Sequence, residues 1–126
     1  MLFRSKEWVI AALAETKDEE TILWLLAIAR DDAQPLGVRE VALYRAGTNG
    51  APIEQVVGLY DAVQEQELKS RLISVYARRR ETLAVDKLID IARRETDIEL
   101  RRRAITALAR SGDPRVAQVL LEIIGT

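Results

Sequence analysis

The sequence predicts an all-α fold: an array of four helical hairpins, eight helices and no strands. Three observations predict it. A 32-residue repeat occupies the second half of the chain. Apolar residues recur at helical spacing, and no segment alternates strictly between apolar and polar as a half-buried strand does. Glycine and proline are sparse, 6 and 3 in 126 residues, so breaks are few.

The repeat emerges when Leu68-Lys69-Ser70-Arg71-Leu72-Ile73 is laid over Leu100-Arg101-Arg102-Arg103-Ala104-Ile105. The match continues without a gap to Ala92 against Ile124, with Ala77, Arg78, Leu88 and Ile91 meeting identical residues. Two looser copies lie upstream. The four units run over 5–33, 34–64, 65–96 and 97–126, forming one array over 1–126.

Each unit reads as two helices. In the first, Val9-Ile10-Ala11-Ala12-Leu13-Ala14 forms one helix, and Asp18 opens another carrying Trp24, Leu25 and Ile28. In the second, Pro35 marks a start before Val38 and Leu43, and Gly50-Ala51-Pro52 precedes Ile53, Val56, Val57 and Tyr60. This unit departs most from the pattern: Gly47-Thr48-Asn49-Gly50 lengthens or loosens its turn, and Gly58 sits inside a helix. In the third, Leu68 to Ala77 leads to a new start at Thr82. In the fourth, Asp97 caps a helix carrying Leu100, Ala104, Ala107 and Leu108. Gly112 suits the left-handed position that ends it, and Asp113 and Pro114 suit the entry to the last helix, with its stripe Val116, Val119, Leu120 and Ile123. A short helical pair cannot bury its apolar face alone, so the units must stack.

The stretch Glu99-Leu100-Arg101-Arg102-Arg103-Ala104-Ile105 through Gly112-Asp113-Pro114-Arg115 resembles the bacterial HEAT-repeat family, including the short repeats of the phycobilisome-lyase type. The resemblance is strong in the last two units and loose in the first two. It implies a right-handed α-solenoid whose second helices line the concave face. It also implies, as a lesser alternative, a chromophore-lyase-like protein, although no residue marks a pigment site.

Composition excludes much chemistry. There is no cysteine and no histidine, so disulfides, thiolate zinc sites, cysteine nucleophiles and imidazole bases are all ruled out. The His-Glu motifs of metal-dependent HEAT hydroxylases cannot be built either. The longest apolar run, Ile22 to Ala29, is far shorter than the ~20 residues that span a bilayer. No cleavable signal sequence is legible. We expect no catalytic residues, metal, cofactor or membrane partner. The cytoplasm is the favoured compartment, and the periplasm is compatible if a signal sequence was lost.

The ends raise two expectations. The segment Thr21 to Ala29 is apolar on nearly every side, so its helix is expected to be covered all round, or to dock an end of the array onto a partner or a second copy. Leu2-Phe3-Arg4-Ser5 is the translation of CTC TTC CGA TCT, the end of a common sequencing adapter. These residues are therefore expected to be an assembly artefact at the head of a truncated metagenomic reading frame.

The main functional expectation is a non-catalytic scaffold binding a protein or peptide along the concave row. Aligning second helices places Leu23, Trp24 and Ala27 in that row, then Gln55 and Leu59, then Asp86 and Asp90, and finally Arg115, Gln118 and Glu122. The row grades from apolar to acidic, as protein-binding surfaces often do. Trp24 reads as packing ahead of anchoring, Trp8 and Tyr76 as packing between helices, and Tyr44 and Tyr60 stay open. Asp86, Asp90 and Glu122 are also the one carboxylate group that could hold a cation. The alternative is a nucleic-acid-binding domain using Arg78, Arg79 and Arg80 with Arg101, Arg102 and Arg103. A net charge of −1, the absence of interleaved aromatics and nearby acidic residues weigh against it.

Overall fold

In the computed structural model, the backbone is described for residues 2–125 and the side chains for residues 6–125. Eight helices follow one another: α1 (Leu2–Ala14), α2 (Glu19–Arg30), α3 (Leu36–Thr48), α4 (Ile53–Ala62), α5 (Gln66–Arg79), α6 (Thr82–Arg94), α7 (Ile98–Ser111) and α8 (Val116–Gly125). No strand occurs among the described residues. Residues 2–5, singled out above, form the first turn of α1, and their side chains lie outside the described residues.

The breaks follow from local chemistry. Asp97 caps α7 by accepting a 2.9 Å hydrogen bond from the Leu100 N–H. Gly112 ends α7 in the left-handed conformation at φ 74°, where a Cβ is costly. Asp18 and Pro35 stand at the N-caps of α2 and α3, and Pro52 at that of α4. Glu81 takes that position for α6, with Thr82 as the first helical residue. The stretch from Gly47 does not loosen a turn. Gly47 and Thr48 complete α3, and Asn49 donates a 2.8 Å hydrogen bond to the Ala14 carbonyl, satisfying the end of α1.

The chain forms two compact units, Met1–Leu72 and Ile73–Thr126. In unit 1, α2 packs on α3, α1 on α3 and α2, and α2 touches α4. Buried Leu25, Leu26, Val38, Leu43, Val56 and Leu59 fill the space between them. In unit 2, α6 packs on α7 and α7 meets α8, around Tyr76, Leu88, Leu100 and Leu108. Tyr76 is fully buried, as expected.

Two further expectations are overturned. On α2, Ile22, Leu25, Leu26 and Ala29 form one buried stripe at i, i+3, i+4 and i+7, while Leu23, Trp24 and Ala27 face outward. The helix has one covered face, not a cover all round. Trp8 does not pack between helices either. It is 70% exposed, because Ile10 and Ala14 provide the buried face of α1.

One charge lies in the interior of unit 1. Arg39 is 2% exposed; its Nε donates to the Ala29 carbonyl at 3.1 Å and its Nη1 to Glu65 at 2.8 Å. Nη2 stands 3.3 Å from Asp32 without hydrogen-bond alignment. A buried guanidinium persists only when so engaged, and its loss leaves a carbonyl and a carboxylate unpaired. Arg39→Ala is expected to cost about 2–3 kcal/mol in urea unfolding, whereas Arg94→Ala, at an exposed pair, leaves the midpoint unchanged.

Candidate interaction surfaces

The predicted row is split between the two units. On α2 in unit 1, Leu23 is 42% and Trp24 48% exposed, and Ala27 is exposed beside them. Trp24 also borders a cavity of about 370 Å³ between α1, α2 and the start of α3, with Val9, Ile10, Ile28 and Val38. Lys6 donates to Gln34 at 3.5 Å at its edge. Gln55 on α4 is half-buried. Leu59 is fully buried and belongs to the core, so it drops out of the surface row. Counted from the helix starts, Leu59 matches the buried Leu88 and not Asp90, and those two positions of shift turn a helical side chain by about 200°.

In unit 2, Asp86, Asp90, Arg115, Gln118 and Glu122 do come together, around a groove of about 510 Å³ between α6 and α8. Its charges are paired. Arg115 reaches Asp86 at 2.6 Å and Asp113 at 3.1 Å; Arg93 reaches Glu122 at 2.7 Å. Asp90 lies 3.1 Å from Arg94 and 3.6 Å from the buried Lys87. Asp86, Asp90 and Glu122 therefore each face a separate cation. Among the described residues no group of three or more acidic side chains is placed to hold a metal ion. The cross-helix pairs Asp86–Arg115 and Arg93–Glu122 involve residues 29 apart, a relation that the repeat alignment did not bring out.

The arginine clusters separate as well. Arg78, Arg80, Arg102 and Arg103 line one groove of about 730 Å³ between α5 and α7, joined by Arg110. Arg79 and Arg101 are not among the lining residues. Arg79 pairs with Glu81, and Arg101 donates to the Ala92 carbonyl at 2.7 Å. Sequence reasoning missed Arg110 as a member of this group, although it is the repeat equivalent of Arg78. The two open tyrosines carry cations on their rings: Lys69 lies 4.7 Å from the Tyr60 centroid and Arg71 4.4 Å from that of Tyr44.

Several ionisations are biased by these contacts. The Arg102 guanidinium holds the Glu99 carboxyl below its ordinary value of 4.5, and Arg115 holds Asp113 below 3.8. Glu65 is lowered by its own backbone N–H and by Arg39, against the opposing effect of desolvation. Asp113 and Asp86 push Arg115 further above its usual range. A carboxylate with a depressed folded-state pKa stabilises the fold above its unfolded value, and that contribution is lost as pH falls through the folded one. The melting temperature is thus expected to hold from neutrality to about pH 5 and to fall below roughly pH 4, less steeply in Glu99→Gln. Both tryptophans are exposed, so their emission is expected to be red-shifted and quenched by acrylamide in dilute solution. A blue-shifted, protected signal would mean that this face of unit 1 is covered.

No helix among the described residues is long and apolar enough to cross a membrane. No curated protein and no solved structure is detectably similar to this chain. A family model of HEAT repeats matches residues 53–126. Repeats of this kind generally serve as scaffolds for protein interaction. The match spans more than half of the sequence and falls on helical pairs of the expected kind, and the chain belongs to the HEAT repeat family.

Proposed function

We propose that the chain is a non-catalytic scaffold that holds a protein or peptide partner against its second helices. The observation that carries this reading is the open apolar stripe of α2. Leu23, Trp24 and Ala27 lie side by side on its outer face, and Trp24 is half-exposed at the mouth of an apolar cavity. Tryptophan beside a small apolar pocket is the arrangement that most often concentrates binding energy at protein interfaces. In unit 2 the α6–α8 groove supplies a neutral mosaic of arginines and carboxylates in exposed pairs. Exposed pairs contribute little to stability, so a partner of mixed charge exchanges with them at low cost. The chain has no histidine or cysteine to work as an acid, base or nucleophile near neutral pH, which fits a binding role. We place its repeats with the short bacterial type, on the motif Gly112-Asp113-Pro114-Arg115.

Selection of a random peptide library on the immobilised chain tests this. Enriched peptides are expected to carry apolar residues and to lose at least about tenfold in affinity, or ~1.4 kcal/mol, with Trp24→Ala or Leu23→Ala while helicity is kept. A second class is expected to respond to the double variant Asp86→Lys, Asp90→Lys. Peptides that bind all these variants as they bind the parent chain would refute the reading.

A further inference from the structure

Around α6 and α8 every lining arginine has its own carboxylate: Arg93 with Glu122, Arg94 with Asp90, Arg115 with Asp86 and Asp113. Between α5 and α7 this order breaks. Five arginines line one groove, and no carboxylate does. Arg102 and Arg103 share Glu99, while Arg78, Arg80 and Arg110 form no ion pair with any described residue. Like charges gathered around one cavity repel.

The backbone provides a second sign. Arg80 follows the end of α5 in the left-handed conformation, at φ 57°. One repeat later the equivalent residue is Gly112, at φ 74°, the residue type that takes this conformation without strain. Arginine therefore occupies a position where glycine would be more stable, and its side chain lines the groove. Lys17, just past the end of α1, takes the same conformation at φ 53°, so what sets Arg80 apart is that its side chain joins the other arginines of the groove.

We propose that this groove docks an acidic peptide segment of a protein partner, whose carboxylates engage Arg78, Arg80 and Arg110. Guanidinium groups match carboxylates in a two-pronged geometry. Ala77 and Ala107 offer a small apolar floor between the charges. Arg102 and Arg110 are eight residues apart on α7, about 12 Å along the helix, so the positive charge is a short patch and not a long track. No aromatic side chain lines the groove, which leaves bases nothing to stack on. A nucleic-acid duplex offers phosphates well beyond so short a patch, whereas a short acidic segment can place its carboxylates on these arginines alone. The groove shares no lining residue with the α2 surface or with the α6–α8 groove. That its occupant is a protein segment rests on the scaffold reading.

Fluorescence anisotropy with the full chain, a labelled oligoglutamate and a short labelled DNA duplex tests the proposal. Oligoglutamate is expected to bind, to weaken as salt rises, and to be lost in the triple variant Arg78→Gln, Arg80→Gln, Arg110→Gln. Arg94→Gln, on the other groove, leaves it unchanged. Arg80→Gly separates function from folding: the melting temperature should stay the same or rise, while affinity falls at least about fivefold. Trp24→Ala should not alter oligoglutamate binding, so failure of the α2 surface and failure of this groove are read independently. No binding by the parent chain, or equal binding by the triple variant, would overturn the site. Tighter binding of the duplex, lost in the same triple variant, would overturn the acidic-peptide occupant in favour of nucleic acid.

Discussion

The last carbonyls of a second helix have no partner within that helix, and in a stacked repeat they face the hairpin that follows. This chain answers that constraint with a cation from the next first helix. Arg39 of α3 donates to the Ala29 carbonyl near the end of α2, and Arg101 of α7 donates to the Ala92 carbonyl near the end of α6. At the corresponding place Lys69 of α5 lies over the ring of Tyr60 of α4. Each contact spans nine or ten residues and joins a helix end to the start of its successor. The hydrophobic effect draws the helices together without direction, whereas these contacts favour one register of each hairpin on the previous one. Arg39 shows how far this goes: its guanidinium is buried, and Glu65 from the next link closes the arrangement.

With the interior organised in this way, the outer faces are left to differ. Residues 1–72 hold 8 basic and 12 acidic residues, while residues 73–126 hold 11 and 8. In the second unit, position on the repeat decides what each charge does. Arginines beside α6 and α8 tie those two helices together through carboxylates on their neighbours. The five arginines that line the α5–α7 groove have only Glu99 among them. Two faces made from the same residue type thus have opposite character, one neutral and internally satisfied, the other an unbalanced positive cavity. The first unit presents a third kind of surface, apolar and centred on Trp24. A helical repeat suits such diversity, because an outward position can change without disturbing the layer beneath it.

Much of the fold was legible from the order of residues. The 32-residue shift predicts two helical pairs, and α5 and α7 do begin and end 32 residues apart. Asp97, Gly112, Pro35 and Pro52 mark helix ends through local chemistry that needs no tertiary information. The surfaces were less legible. Leu23 and Trp24 sit in a run apolar enough to suggest complete burial, yet Ile22, Leu25, Leu26 and Ala29 suffice to cover the neighbouring helices. The alignment that puts Leu59 on the surface is two positions out of phase: α4 begins 29 residues before α6, so Leu59 matches the buried Leu88 and lies in the core. Trp8, expected to pack between helices, is instead exposed, because Ile10 and Ala14 already supply the buried face of α1.

The sequence alone therefore determined the all-α class, the positions of the helices and the repeat family, because caps, breaks and the 3.6-residue period act within a few residues of one another. Tertiary structure decided which arginines are neutralised and which are not. Arg79 and Arg80 are adjacent in the chain, but one turns to Glu81 and the other lines the α5–α7 groove. Arg93 and Arg115 find carboxylates 29 residues away. The partner of a charge is whatever lies within a few ångströms in space, and only the packing of one helix on another fixes that distance.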